Sequence, residues 1–178
     1  MKIPLEEITE SAKEIRFSET IGDLNDIYER DQVRDFRFPP ALDVHLVYYR
    51  SSEEIFFHGA FRGDFEGCCS RCLASYSFHL EQPFDFMLAP SASRSEAKVE
   101  ELRPEDMGLS YYSSGEINLA PLIKEQVLLA LPTRPLCGED CLGLCDGCGA
   151  NLNREACTCQ SSGRDPRMAV FRTLKISR

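Results

Sequence analysis

Glu54-Ile55-Phe56-Phe57-His58-Gly59-Ala60-Phe61-Arg62-Gly63-Asp64-Phe65-Glu66-Gly67-Cys68-Cys69-Ser70-Arg71-Cys72 carries both signals on which the fold turns. Ile55, Phe57, Phe61 and Phe65 fall on one parity, interleaved with Gly59, Gly63 and Gly67. Glu54, His58, Arg62, Asp64 and Glu66 fall on the other. A period of two with one apolar side marks a strand with one buried face. The run then closes on Cys69-x-x-Cys72, a spacing that lets two thiolates reach one metal ion from a tight turn.

The same alternation appears on both sides of this stretch. Upstream, Leu42, Val44, Leu46 and Tyr48 oppose Asp43 and His45. Downstream, Tyr76, Phe78, Leu80, Phe84, Phe86 and Leu88 alternate with Ser77, His79, Glu81 and Asp85. Residues 51–53 turn the first hairpin and the cysteine cluster at 68–72 turns the second, which gives a three-stranded meander. Residues 3–5 and 14–17 are expected to join it. Residues 89–106, rich in Ala, Ser and Glu and holding two prolines, read as a mobile loop. Asn118 then suits a helix N-cap, and Pro121 is tolerated in the first turn. Leu119, Leu122, Ile123, Val127, Ala130 and Leu131 make one apolar face, and Pro132 ends the helix. The expected fold class is α+β: an antiparallel β-meander covered by one main helix over residues 1–132. A cysteine-rich, zinc-binding segment with a basic tail follows over residues 133–178.

The chain has 178 residues and 43% apolar content, enough for one cored domain and a small satellite. No export signal is visible at its start, and no stretch nears the roughly 20 apolar residues that span a bilayer. A cytoplasmic location without membrane contact is the resulting expectation. Disulfides are rare in that compartment, so nine clustered cysteines point to metal. Cys69 with Cys72, Cys137 with Cys141, Cys145 with Cys148, and Cys157 with Cys159 make four pairs, enough for two four-thiolate zinc sites. Chain distance favours Cys145, Cys148, Cys157 and Cys159 as a local site, with Cys69 and Cys72 joining Cys137 and Cys141. The rival partition puts both Cys-x-x-Cys pairs on one ion, as in a zinc ribbon. A closed thiolate shell leaves no open position for water or substrate, so both sites read as structural, and neither an enzyme nor a small-molecule substrate is expected. Cys68 reads as a half-buried cysteine outside the set, with an alternative ligand or a reactive thiol as the other readings. His45, His58 and His79 lie on polar parities and read as surface side chains.

The formal charge of −9 is unevenly placed. Residues 137–178 hold six bases and five acids, so residues 1–136 carry −10. That body repels a phosphate backbone. Arg164, Arg167, Arg172, Lys175 and Arg178 concentrate positive charge at the end and are candidate RNA contacts, a solvated terminus being the plainer reading.

The order of features is more specific than any single pair. Cys69-Ser70-Arg71-Cys72-Leu73 is followed by an acidic loop, then Ile117-Asn118-Leu119 and a helix ending Leu129-Ala130-Leu131-Pro132. After Pro135-Leu136-Cys137 come Gly143-Leu144-Cys145-Asp146-Gly147-Cys148-Gly149, Asn151-Leu152-Asn153, Cys157-Thr158-Cys159 and Asp165-Pro166-Arg167. Over about residues 45 to 175 this resembles the YceD-like family of large-ribosomal-RNA-subunit accumulation proteins. The resemblance implies a part in accumulation of 23S rRNA and in large-subunit assembly. The partners it implies are a pre-50S particle, ribosomal RNA or a basic large-subunit ribosomal protein. Some family members lack part of the cysteine set, which implies that metal is not a shared active centre, and Cys68 has no counterpart in the pattern. Two other classes compete with a non-enzymatic assembly factor: a thiol- or zinc-responsive redox regulator, and a zinc-ribbon regulator that binds nucleic acid.

Overall fold

A computed structural model of the chain describes residues 1–32, 35–91, 109–113 and 115–159. The described residues divide into two compact units, Met1–Glu66 with Ser77–Thr133, and Gly67–Tyr76 with the segment from Arg134 onward. The cysteine-rich unit thus takes in the turn at 67–76 as well as the tail that the sequence bounds at 132/133.

In the first unit, strands β2 (Lys13–Thr20), β4 (Ala41–Ser51), β5 (Glu54–Cys68), β6 (Ser75–Pro90) and β7 (Leu109–Tyr112) lie side by side in that order. The short β3 (Phe36–Arg37) also pairs with β5. β4 runs antiparallel to both β2 and β5, with Val44 opposite Phe61 and Tyr48 opposite Phe57. Alternation alone fixes which side is buried: Leu42, Val44, Leu46, Tyr48, Ile55, Phe57, Phe61 and Phe65 are all buried. Of the downstream run only Phe84 and Leu88 are fully buried, while Phe78, Leu80 and Phe86 pack on the cluster half-exposed. Ring pairs tie the central strands together, Phe57 to Phe86 at 4.7 Å and Phe65 to Phe78 at 5.7 Å. Gly59 is small by necessity, because a Cβ there would stand 2.7 Å from both the His45 carbonyl oxygen and the Phe84 ring.

Helix α1 (Leu24–Arg30) follows β2, and helix α2 (Leu119–Ala130) follows β8 (Glu116–Asn118). The Asn118 side chain accepts a hydrogen bond from the Ala120 N–H at 3.2 Å, satisfying one of the amide donors that a helix start leaves open. Leu119, Ile123 and Val127 bury into the same cluster as the strands, so the main helix shares the sheet's core. Leu128 and Leu129, off that face, are exposed.

Three features differ from the sequence reading. Residues 3–5 do not join the meander: β1 (Lys2–Pro4) pairs with β8 in a separate two-stranded sheet, Ile3 facing Ile117, while residues 14–17 sit in β2 and occupy the β4 edge. The large sheet is mixed rather than wholly antiparallel, since β7 runs parallel to β6. α1 has no counterpart in the sequence reading. Most of the loop expected at 89–106 lies outside the described residues, although Ala89 and Pro90 complete β6.

Candidate metal centres

The second unit is built on two turns of the same design. In Cys69-Ser70-Arg71-Cys72-Leu73-Ala74 the Leu73 N–H donates to the Cys69 carbonyl and the Cys69 N–H to the Ala74 carbonyl, each at 2.9 Å. In Cys145-Asp146-Gly147-Cys148-Gly149-Ala150 the corresponding bonds, Gly149 to Cys145 and Cys145 to Ala150, measure 2.9 and 2.8 Å. Both turns need a left-handed residue just after the second cysteine. Gly149 supplies it at φ +75°, a conformation open to glycine. Leu73 supplies it at φ +57°, where an L side chain is strained. The turns aim backbone amides at sulfur, and two further loops bring Cys137 with Cys141 and Cys157 with Cys159 alongside.

The structure brings the eight paired cysteines together as two tetrads, Cys69/Cys72/Cys137/Cys141 and Cys145/Cys148/Cys157/Cys159. Within each, all four sulfurs lie within 4.8 Å of one another. This is the grouping that chain distance favours over the zinc-ribbon partition. A tetrahedral thiolate site with metal–sulfur bonds of about 2.3 Å has sulfur–sulfur edges of about 3.8 Å. Cys69 to Cys141 and Cys72 to Cys137 both measure 3.7 Å, so the first tetrad already has the edge of such a shell. In the second, Cys148 to Cys157 is 3.7 Å and Cys145 to Cys157 is 3.2 Å, one edge shorter than ideal. All nine cysteines are free, and 3.2 Å is far beyond a disulfide bond of about 2.05 Å. Two tetrads of soft thiolate donors are thus positioned to hold a metal ion.

Electrostatics divide each tetrad into low and high thiols. Burial pushes the Cys69 thiol up, but the backbone N–H groups of Cys137, Cys72 and Arg71 outweigh it and bring it down to about 6. Cys137, whose proton is held between Cys141, Cys72 and Cys69, is pushed up to about 12. The N–H of Cys148, the Cys157 thiol and the N–H of Gly147 draw Cys145 down to about 6, while Cys148 and Cys157 push Cys159 up to about 12. Four sulfurs crowded together cannot all be anionic without a cation among them, so some keep their protons.

Two residues without a role in the sequence reading complete the first centre. Arg71 Nη1 donates to the carbonyls of Glu139 and Cys141, both at 3.0 Å, bracing the loop that delivers Cys137 and Cys141. Asn153 Nδ2 donates to Cys141 Sγ at 3.3 Å while its Oδ1 accepts from the Leu142 N–H at 2.8 Å. Outer-shell bonds of this kind orient ligands and tune their basicity. Both residues lie in recognisable motifs, Cys-Ser-Arg-Cys and Asn-Leu-Asn, whose spacing marks them without disclosing these bonds. The two centres differ in exposure: Cys69, Cys72 and Cys141 are buried, whereas all four sulfur-bearing residues of the second tetrad are half-exposed or exposed. Cys68 is half-buried and outside both tetrads, its Sγ 3.6 Å from the Leu73 carbonyl oxygen.

The histidines converge on nothing. Each pairs with a carboxylate on the solvent side of the sheet, His45 with Glu14 at 2.9 Å, His58 with Asp85 at 2.6 Å and His79 with Asp64 at 2.8 Å. The candidate RNA contacts Arg164, Arg167, Arg172, Lys175 and Arg178 lie outside the described residues. Among the described residues no helix is long and apolar enough to cross a membrane.

The family described as large ribosomal RNA subunit accumulation protein YceD matches residues 57–175, a span that holds both tetrads. The chain belongs to this family. An uncharacterized protein of Mycobacterium leprae (strain TN) is 29% identical over 101 residues, 57% of this chain and 44% of that protein. The chain spans less than half the length of this relative. No solved structure matches.

Proposed function

We propose that this chain is a non-enzymatic factor that supports 23S rRNA accumulation and assembly of the large ribosomal subunit. Two structural zinc ions order its cysteine-rich unit. The observation that carries this reading is the use of all eight paired cysteines in two four-sulfur shells, within a span that matches the YceD family. Zinc suits such shells because it favours four-coordinate thiolate sites and imposes no further geometric preference. With four protein ligands each, the centres offer no position for an activated water, which supports a binding role over a catalytic one. The working location under this reading is the cytoplasm, on pre-50S particles. The partner there is ribosomal RNA or a basic large-subunit protein.

The test is a sucrose-gradient profile of cells with and without the protein. Depletion should lower 23S rRNA relative to 16S rRNA and raise pre-50S material, and the protein should sediment with those particles. A normal profile, with the protein only at the top of the gradient, would remove the assembly reading. A second reading, a zinc- or thiol-responsive regulator, is favoured only by the exposure of the second tetrad. It requires that oxidation alter rRNA levels through Cys145–Cys159 variants without any association with particles.

A further inference from the structure

The solvent side of the sheet carries a feature that neither metal centre uses. Tyr49 and Phe56 are register partners on β4 and β5, and their rings stack at 5.4 Å and 12°. His58, two residues along β5, lies against Tyr49 at 5.9 Å and 22°. Tyr48 and Phe57, the neighbours of this pair, point into the core, so alternation places the three rings on the opposite, outward face. Tyr49 and Phe56 are half-buried and His58 is exposed, leaving part of each ring open.

Charge around the rings selects the partner. Glu54 precedes Phe56 on the same face, Asp85 holds His58, and Glu14 lies opposite Val47, between His45 and Tyr49 on that face. The face has two arginines nearby, and both already face carboxylates: Arg16 pairs with Glu14 at 3.2 Å and Arg62 with Asp43 at 3.4 Å. Phosphate would meet a net negative field here. A guanidinium would find half-exposed aromatic rings to pack on and carboxylates to bind, the two interactions for which arginine is best suited. We propose that this face, centred on Tyr49 and Phe56, docks an arginine-rich segment of a protein partner. The inference deepens the assembly-factor reading by naming the chemistry of the partner. The two fail separately: a factor that touches only RNA would fail the assay below and still run with pre-50S particles.

The assay is fluorescence anisotropy with the full zinc-loaded chain and a labelled peptide of alternating Arg and Ser. The same peptide with Lys for Arg, and a uridine oligonucleotide of equal length, are titrated in parallel. The arginine peptide should bind several-fold tighter than the lysine peptide and far tighter than the RNA. Tyr49→Ser with Phe56→Ser should weaken it about tenfold, the loss of two cation–π contacts. Glu54→Gln with Asp85→Asn should weaken it several-fold. Glu29→Gln with Glu125→Gln, an equal charge change on the helices, should leave it nearly unchanged. The proposal falls if the helix variant weakens binding as much as the face variant, if RNA binds as tightly as peptide, or if folded ring variants bind normally. Should the ring variants fail to fold, the comparison between the two carboxylate variants decides alone.

Discussion

Removing metal should unfold the cysteine-rich unit and leave the sheet standing. The apolar side chains of the second unit that pack on its buried cysteines are Ala74, Tyr76, Leu136 and Leu144, all part-exposed. At about 1.5–3 kcal/mol for a fully buried large side chain, four partly buried ones contribute roughly 3–6 kcal/mol. Ordering the 26 residues 134–159 costs at least about 26 kcal/mol in backbone entropy. The shortfall is about 20 kcal/mol, which two structural zinc ions at about 10 kcal/mol each would meet and one would not. The first unit has no such deficit, because nineteen buried apolar residues form its core. Amide hydrogen exchange before and after a strong chelator measures this directly. Protection at Cys145, Gly149, Leu152 and Arg154, whose N–H groups are bonded within the unit, should vanish, while β4 and β5 keep theirs. The exposed second tetrad should surrender its ion first, and because one ion does not cover the shortfall the other should follow as the unit unfolds. Persisting protection at those four amides after complete metal removal would refute the reasoning, as would equal loss in β4 and β5.

Three further outcomes follow from single features. Zinc affinity should rise with pH, because thiols held above their usual range, Cys72 and Cys137 in one tetrad and Cys157 and Cys159 in the other, must lose protons to bind. Competition titrations should show affinity rising with pH at both sites near neutrality, and a flat profile would contradict the shared-proton arrangement. Leu73→Gly should stabilise the loaded protein by about 0.5–1 kcal/mol in chemical denaturation, since it relieves φ +57° at a side chain 66% exposed. Gly59→Ala should destabilise the first unit by about 1–3 kcal/mol, because its Cβ would press on a backbone carbonyl that cannot rotate away. A thermal melt within error of the parent would show that β4 and β5 part more easily than their ladder implies.

How far the sequence could be read depended on the length of each pattern. Over Ala41–Ser51, Glu54–Cys68 and the α2 helix, periodicity ran long enough to name the buried residues individually. Chain distance was enough to sort the cysteines, because Cys145 to Cys159 closes on itself. Short elements escaped. β1 and β8 have three residues each, too few to display a period, and their pairing brings residues 2–4 to 116–118. α1 has only two turns and buries Leu24 alone, too little for an apolar face to show in the sequence. Leu73 was silent for another reason. Nothing about leucine announces a left-handed backbone, and only comparison of its turn with the one ending in Gly149 shows that the position calls for it.

Metal loading also changes what the basic tail means. With neutral thiols, the second unit carries Arg71, Arg134 and the net +1 of residues 137–178, a formal +3. Under the proposed loading, eight thiolates and two divalent ions add −4, leaving −1. That −1 already counts the five bases between Arg164 and Arg178; without them and Asp165 the loaded unit carries −5, so it does not extend their positive charge. Near the first centre Arg71 offsets part of the thiolate charge, with its guanidinium bonded to the Glu139 and Cys141 carbonyls. In the proposed zinc-loaded state, then, the described residues of neither unit carry a net positive charge. What the described residues do present is an acidic sheet face with stacked rings, and that charge pattern is suited to holding a basic protein chain rather than a phosphate backbone.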